Sequence, residues 1–204
     1  MVRRVVVALL APVAWSPPGI DPADWRAALA EDVVDLLATL TEVETAVAVT
    51  PADRQLAEAV VWPGTAIHEV PEPTVNAVLT GLTGYDQAAV LAADAPDLPG
   101  LILGKLLRPL TSRPVAVAPV EGGGPGLLGV AARLPVPDWF PALDLDAAVP
   151  MDVRRAAPAP GDVAVTPAWR RLRGPADLAA LDPAVEGWET TRALLTGSGP
   201  SHRR

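Results

Sequence analysis

The stretch AAVLAADAPDL, residues 88–98, passes from an apolar run into a turn that carries two aspartates. Its first six residues are small or aliphatic, which is typical of a strand buried on both faces of a sheet. In an open α/β sheet, ligands bind beside the carboxyl ends of the strands. We therefore expect Asp94 to be a carboxylate exposed at the rim of the sheet, with Asp97 three residues beyond it.

Strand-like and helix-like patterns alternate on both sides of this stretch. Apolar runs predict strands at residues 2–10, 45–49, 65–70, 88–93, 115–119, 127–132 and 163–165. Apolar residues at helical spacing predict helices at residues 21–40, 50–60, 74–82, 101–107, 175–181 and 188–195. Asp21 and Thr50 are expected to cap the first two helices, each with a proline in the first turn. The alternation predicts an α/β fold of three layers, with a mostly parallel twisted sheet and helices on both faces.

The proline-rich segment of about residues 135–165 interrupts this regularity. We expect a turn of helix at residues 138–143 and a loop at residues 147–160, because prolines cut the chain into short elements. No stretch is long enough to act as a linker between domains. The whole chain, residues 1–204, is therefore predicted to form one domain.

The composition excludes several classes of function. The formal net charge is −8 and no dense basic run is present, so nucleic acid is not an expected partner. The absence of cysteine excludes disulfides and thiolate sites, and two histidines are too few for a histidine-rich metal site. The apolar run near the N-terminus is too short to span a membrane and is interpreted as a strand, not as a signal peptide. We expect a cytoplasmic protein without a membrane span.

Asp94 has two interpretations when it is taken by itself. A carboxylate at the end of a strand could hold Mg²⁺, which prefers oxygen ligands and bridges the phosphates of a nucleotide. Alternatively, Asp94 or Asp97 caps the next helix, a common role for aspartate. The residue type and position alone favour the cap.

Four short motifs resemble those of a family group with the GT-A-type fold, and they follow one another along the chain in the same order as in that group. Residues 92–98 resemble the (G/A)-D-x-P-x-L element of that group, and residues 73–78 resemble its asparagine-containing segment, with Asn76 as the asparagine. Residues 121–129 resemble its acidic-Gly-Gly hairpin, and residues 174–178 its T-P-x-D-L helix start. The group comprises the guanylyltransferases of molybdenum-cofactor and deazaflavin-coenzyme synthesis and related bacterial glycosyltransferase-like proteins.

The resemblance implies a nucleotide or nucleotide-sugar ligand, a small acceptor, and transfer of a nucleotidyl or glycosyl group. It implies that Asp94 is the catalytic residue and holds Mg²⁺ against the phosphates. The residues expected to bind nucleotide or substrate are Trp15, Asn76, Asp97, Gly123, Gly124, Arg171 and Arg173.

The sequence also departs from the family at positions that matter for chemistry. The loop at residues 11–19 lacks the lysine and arginine that hold a triphosphate in the family, and Gly122 stands at an expected aspartate. Arg171 and Arg173 occupy positions where the family has aspartates, one of them a metal ligand. Either these arginines replace the metal and offer positive charge to an anionic ligand, or they are ordinary solvated charges in a site that no longer performs chemistry. The second interpretation is favoured, because metal-free phosphoryl transfer needs more cations than these loops supply.

We therefore predict a divergent member of this group in which catalysis is weak, altered or lost. The alternative is a non-catalytic binding or scaffold protein with a GT-A-like fold. Trp15 either stacks on a nucleobase or packs beside the cleft, and packing is favoured. Trp139 and Phe140 belong either to an acceptor site or to a homodimer contact. Asp144 and Asp146 lie on the expected acceptor side, but exposed loop carboxylates need no function.

Overall fold

In the computed structural model, which describes residues 2–197, seven strands form one mixed sheet in the order β3-β2-β1-β4-β6-β5-β7. The strands are β1 (Arg4–Leu9), β2 (Glu44–Val49), β3 (Ala66–Glu69), β4 (Gln87–Ala92), β5 (Val115–Pro119), β6 (Leu127–Arg133) and β7 (Val163–Val165). β6 runs antiparallel to both of its neighbours, and the other paired strands are parallel. The predicted mostly parallel sheet is confirmed.

Seven α-helices accompany the sheet within residues 2–197. They are α1 (Pro22–Ala38), α2 (Arg54–Val60), α3 (Val75–Gly81), α4 (Gly100–Leu107), α5 (Pro150–Ala156), α6 (Pro175–Ala179) and α7 (Glu189–Leu195). The side chain of Asp21 caps α1 as predicted, accepting hydrogen bonds from the amides of Ala23 and Asp24. Thr50 does not cap, because a 3-10 turn at Pro51–Asp53 comes before α2 and the Thr50 hydroxyl donates to Asp53 instead.

Two expectations for the proline-rich segment are wrong. Residues 138–139 form a turn and residues 140–143 have no regular structure, whereas α5 lies within the stretch expected to be a loop. The reason is that Pro150 starts a helix and does not break one, since a proline in the first turn loses no helical hydrogen bond. The carboxylate of Asp152 accepts from the amide of Val149 at 3.0 Å, which satisfies a donor at the start of α5.

Hydrophobic side chains of the central strands alternate between two cores. In β1, Val5, Val7 and Leu9 face one core, while Val6 and Ala8 face the other. The first core is covered by α3 and α5, and the second by α1, α2 and α4. The three predicted layers are therefore present, and the buried interior lies on both faces of the sheet.

The carboxyl ends of the parallel strands meet at one edge of the sheet, where β6 begins. We call this the carboxyl edge. The segment at residues 166–173, called the closing segment below, runs along it. Its backbone donates from Thr166 to Val117, from Trp169 to Pro119 and from Leu172 to Asp94, at 2.9, 3.2 and 2.7 Å. The closing segment thus joins the ends of β5 and β4.

No helix within residues 2–197 combines the length and the apolar character that a membrane crossing requires.

Gly129 lies in β6 between two strands, and its lack of a side chain is needed there. A Cβ atom at this position would lie 2.6 Å from Leu91 Cδ2 and 2.8 Å from the Val90 carbonyl oxygen. Backbone cannot move away as a flexible side chain can. The packing of β6 on β4 therefore requires glycine at this position.

We expect Gly129→Ala to lower the free energy of unfolding by roughly 1–3 kcal/mol, as overpacking does in a dense core. Urea unfolding followed by circular dichroism measures this. Gly124→Ala is the matched control, because nothing lies within 4 Å of the Cβ that it adds. Equal effects of the two substitutions would contradict the close approach at β6.

Asp32, on α1, is a buried carboxylate that docks α7. Its two oxygens accept from the backbone amides of Thr190 and Thr191 at 2.9 and 2.8 Å, so α1 supplies the cap at the start of α7. Burial raises the pKa of Asp32 from its ordinary value of 3.8 to about 6, against the effect of these hydrogen bonds. Folding therefore favours the protonated carboxyl.

This raised pKa predicts the pH dependence of one contribution to stability. A carboxyl that binds its proton more tightly in the folded state makes that state less stable as the pH rises from about 4 to about 6. Asp32→Asn removes the titration. We expect the free energy of unfolding of the variant, minus that of the wild type, to rise by about 2 kcal/mol between about pH 4 and pH 7. Urea titrations across this range test it, and a constant difference would contradict it.

Candidate functional site at the carboxyl edge

Asp94 follows β4 at the carboxyl edge, but it is not exposed there. The residue is only 6% exposed, because the closing segment covers it. The expectation of a carboxylate displayed at the rim is therefore wrong. Its strand position was predicted, but the chain segment that covers it comes from more than 70 residues away.

Arg171 of the closing segment forms a bidentate ion pair with Asp94. Arg171 Nε lies 2.5 Å from Asp94 Oδ1, and Arg171 Nη2 lies 2.9 Å from Asp94 Oδ2. Nη2 also donates to Asp146 Oδ1 at 2.6 Å, and Nη1 donates to the carbonyl oxygens of Leu127 and Leu145 at 3.1 and 2.9 Å. A guanidinium has five N–H donors. All five of Arg171 are used inside the protein.

The charge of Arg171 is stabilised where it lies. Burial acts to lower the pKa of Arg171, but the charges of Asp94 and Asp146 outweigh this and raise the pKa above its ordinary value. Neither interpretation made from the sequence describes this residue. Arg171 is buried and not solvated, and it has no N–H left for an anionic ligand.

Arg170 neutralises the second aspartate of the same turn. Its Nε lies 2.8 Å from Asp97 Oδ2, and Trp169 Nε1 donates to Asp97 Oδ1 at 3.2 Å. The side chain of Asp97 is 1% exposed, while Arg170 also approaches Glu121 at 3.6 Å. Two consecutive arginines of the closing segment therefore each hold one aspartate of the turn at residues 94–97.

The glycine turn between β5 and β6 is held by Arg173. Its Nη2 donates to the Pro125 carbonyl oxygen at 2.8 Å, and its guanidinium fills the space where a side chain at position 126 would stand. Gly126 has a φ of +118°, a backbone conformation that side chains rarely adopt, and this favours glycine at the position. Gly123 and Gly124 are exposed in the same turn and do not line the cleft described below.

Asn76 and Trp15 also lie outside the cleft lining. Asn76 donates to the Pro141 carbonyl oxygen at 3.0 Å and accepts from the Leu143 amide at 2.8 Å, so it fastens the loop at residues 134–149 to α3. Trp15 packs edge-to-face on Trp25, with ring centroids 6.0 Å apart. Of the predicted site residues, only Asp94 and Arg171 meet in the cleft.

The cleft itself is narrow and carries charged residues that sequence reasoning missed or left without a role. Its cavity volume is about 20 Å³, which is room for a water molecule. Ligand pockets are usually of several hundred Å³. Asp144 and Asp146 lie on one wall, and Arg26 of α1 lies on another.

Arg26 is committed to internal partners. It forms a bidentate pair with Asp53 at 2.9 and 2.8 Å, and it donates to the carbonyl oxygens of Leu10 and Ala11 after β1. The hydrogen bonds from Arg26 lower the pKa of Asp53. The signal was present in the sequence, because Arg26 shares its helical phase with Ala30, Val33 and Leu37, all buried against the sheet.

The donor set does not fit a resident Mg²⁺ ion. Both oxygens of Asp94 are engaged by Arg171, and Asp146 Oδ1 is engaged as well. Among residues 2–197, no group of three or more histidine, cysteine, aspartate or glutamate residues is placed to hold a metal ion. Arg171 binds the carboxylate that the resemblance assigned to Mg²⁺.

Removing the aspartate of the buried ion pair should destabilise the folded protein. We expect Asp94→Ala to lower the free energy of unfolding by about 3–5 kcal/mol, because it leaves the Arg171 charge buried without its main partner. Asp138→Ala, at an exposed aspartate in the loop at residues 134–149, should change it by less than about 0.5 kcal/mol. Urea unfolding of both variants measures the difference. A small effect at Asp94 would mean that the pair is not formed in solution.

Comparison with known proteins places the fold. No protein-family model matches the sequence. No curated protein matches it. Among solved structures, a protein of Desulfovibrio desulfuricans G20 assigned as a nucleotide-diphospho-sugar transferase is similar, with a TM-score of 0.63 and 18% identity over 97% of this chain and 98% of that one.

Two further structures carry ligands. CMP:2-keto-3-deoxy-manno-octonic acid synthetase in complex with CTP has a TM-score of 0.56 and 14% identity, over 97% of this chain and all (100%) of the other. Rv0371C of Mycobacterium tuberculosis H37Rv in complex with manganese has a TM-score of 0.52 and 12% identity, over 96% and 98%. The chain therefore has the α/β fold of the nucleotide-diphospho-sugar transferases and related nucleotidyltransferases, as the four motifs predicted.

Proposed function

We propose that this protein is a non-catalytic binding or scaffold protein built on the nucleotidyltransferase fold, a pseudoenzyme that performs no metal-dependent transfer. The observation that carries the proposal is the fully engaged guanidinium of Arg171 on Asp94. A catalytic carboxylate must be free to meet metal and phosphate. This one accepts two hydrogen bonds from Arg171, whose three other N–H groups are engaged by neighbouring oxygens.

The charges along the cleft support the same proposal. Asp94 and Asp146 pair with Arg171, Asp144 also lines the cleft, and Arg26 is neutralised by Asp53. The balance is negative, and a polyphosphate would meet repulsion. Nucleotidyl transfer needs cations at the oxygens where charge develops in the transition state. No free cation lines this cleft among the described residues.

A larger open groove lies away from the carboxyl edge. A groove of about 550 Å³ opens at the opposite edge of the sheet, near the amino ends of the strands, between the residues that follow α1 and the helix α4. Arg4 and Arg108 flank it, and Leu103 and Leu107 contribute apolar surface. The cavity at the carboxyl edge is far smaller. A binding role that does not use the carboxyl edge is compatible with this distribution.

The second candidate is that the protein binds a nucleotide or nucleotide-sugar with Mg²⁺ and an acceptor, with weak or altered catalysis. The fold supports it, because one similar structure holds CTP and another holds manganese. It requires the ion pair between Asp94 and Arg171 to open. That opening would have to expose two buried charges before any ligand could compensate them.

Isothermal titration separates the two candidates. We expect wild-type protein to show no saturable binding of CTP, GTP, UTP, ATP or the UDP- and GDP-sugars at micromolar concentration, with or without Mg²⁺. The reason is that neither charge nor space at the carboxyl edge accommodates a polyphosphate. Micromolar binding that depends on Mg²⁺ would overturn the proposal in favour of the second candidate.

Asp146→Asn helps to locate any binding that is found. The side chain of Asp146 is half exposed, so its substitution disturbs the fold less than a change at Asp94 does. Binding that responds to this substitution lies in the cleft. Binding that does not respond lies elsewhere, and a transferase role for the carboxyl edge is then unsupported.

A further inference from the structure

We propose that the groove between the end of α1 and α4 binds a small molecule that carries one phosphate or carboxylate group on an apolar chain. We call this groove, lined by residues 39–43, by α4 and by Arg4 and Arg108, the amino groove. The inference rests on the proposed function, in which binding takes place away from the carboxyl edge, and it adds a site and a ligand class. Among the described residues, none lines both the amino groove and the cleft beside Asp94.

The walls of the amino groove are apolar along both helices. Leu40 and Val43 line it after the end of α1, and Leu103 and Leu107 line it on α4. Its volume of about 550 Å³ lies within the usual range for pockets that hold small molecules. An apolar chain that enters these walls leaves water, which favours binding.

The two helices are close at one end of the groove and separate at the other. A Cβ atom at Gly100 would lie 3.8 Å from Leu36 Cδ1, so α1 and α4 approach each other at the start of α4. One turn later Gly104 also lines the groove, but nothing lies within 4 Å of the Cβ that it would carry. The 8 residues of α4 span about 12 Å. A chain can therefore lie along α4 with its charged group at the open end, near Arg108.

Two arginines supply positive charge at this open end. Arg108 directly follows α4, and Arg4 is the first residue of β1. Neither side chain pairs with a carboxylate of residues 2–197. Glu42 also lines the groove, so the lining carries two positive charges and one negative charge. The amino groove can therefore attract an anion, although the whole chain has a net charge of −8.

Arg4 is held in place by a hydrogen bond that leaves most of its donors free. Its Nε donates to Gln87 Oε1 at 2.9 Å, and Gln87 Nε2 donates to the Leu110 carbonyl oxygen at 3.2 Å. Gln87 is 7% exposed, so the acceptor that orients Arg4 is itself fixed. The Nη1 and Nη2 groups of Arg4 have no acceptor among the described residues. A guanidinium oriented in this way can bind a phosphate or carboxylate through two hydrogen bonds, with little entropy left to lose.

The recessed walls favour a single dissolved molecule as the ligand. Leu103 is only 2% exposed, so a ligand must enter the groove to reach it. Leu101 protrudes from the same helix, with 67% of its surface exposed, and it does not line the groove. A membrane surface would contact Leu101 first. The two residues therefore distinguish a dissolved amphiphile from a lipid in a bilayer.

Isothermal titration with octyl phosphate and octanoate, each below its critical micelle concentration, tests the proposal. Wild-type protein should bind one molecule of either probe per chain. Inorganic phosphate lacks the chain and octyl glucoside lacks the charge, so each should bind at least about tenfold more weakly than octyl phosphate. Failure of folded wild-type protein to bind either anionic probe would overturn the proposal.

Gly104→Leu locates the apolar chain, because it fills the groove at a position where added atoms meet no neighbour. It should weaken octyl phosphate binding by about tenfold or more. Gly81→Leu is the matched control, since Gly81 is an exposed glycine of α3 whose added Cβ likewise meets nothing within 4 Å. It should bind as wild type does. Equal binding by both variants, once circular dichroism shows that they are folded, would contradict the site.

Arg108→Gln locates the charged group and does not depend on the folding of the leucine variant. Arg108 is exposed, so its substitution should leave the melting temperature unchanged and weaken octyl phosphate binding by about fivefold to tenfold. Arg154→Gln, at an exposed arginine of α5, is the control and should have no effect on binding. An equal loss in the two variants would mean that overall charge, not the amino groove, attracts the anion.

Vesicles of phosphatidylcholine and phosphatidylglycerol test the alternative source of the same chemistry. Wild-type protein should not sediment with them, and Leu101→Ser should leave octyl phosphate binding unchanged. Sedimentation that Leu101→Ser abolishes and Gly104→Leu leaves intact would overturn the proposal in favour of a membrane surface. Nucleotide binding that depends on Mg²⁺ would overturn the proposed function instead, so the two failures can be told apart.

Discussion

The ion pair between Asp94 and Arg171 is the interaction on which the carboxyl edge depends. It joins the end of β4, the start of β6, the loop that carries Asp146 and the closing segment. Two charges in a poorly hydrated place are costly unless their geometry is good and their other donors and acceptors are satisfied. Here the contact is bidentate and every N–H of the guanidinium has a partner. The pair can therefore persist without a ligand.

The neighbouring contacts depend on the same arrangement. With Arg171 on Asp94, the preceding Arg170 and Trp169 come to Asp97, and Leu172 packs with Trp25 and Leu29 of α1. The closing segment is thus fixed by charge on one side and by hydrophobic contact on the other. That double attachment explains why the cleft is narrow, since the segment that walls it cannot move independently of the sheet end or of α1.

The sequence predicted the elements of the fold better than it predicted the site. Successive side chains of Val5–Leu9 point into two different cores. This alternation is set by neighbouring residues, so a short stretch of sequence is enough to predict it. Asp94 was correctly placed after a buried strand for the same reason. Its burial could not be predicted, because the residue that covers it lies 77 positions away and nothing in the local pattern states which segment returns to that edge.

The other errors have equally specific causes. In the sequence, Pro150 is compatible with a loop and also with the first turn of a helix. The hydrogen bond from the Val149 amide to the Asp152 carboxylate favours the helix. The aligned motifs identified Arg171 as a replaced aspartate but not its partners. Arg26 is different, since its place on the apolar face of α1 was visible in the sequence. A buried-face arginine beside a strand end is a signal for an internal ion pair, here with Asp53.

Two carboxylates at the carboxyl edge, Asp94 and Asp146, approach the same nitrogen and would repel each other if no cation lay between them. An arginine from the chain relieves the same repulsion permanently, with the charge supplied at a fixed distance and no dependence on concentration. The charge is covalently part of the protein, so it cannot dissociate from the two carboxylates as a bound ion can.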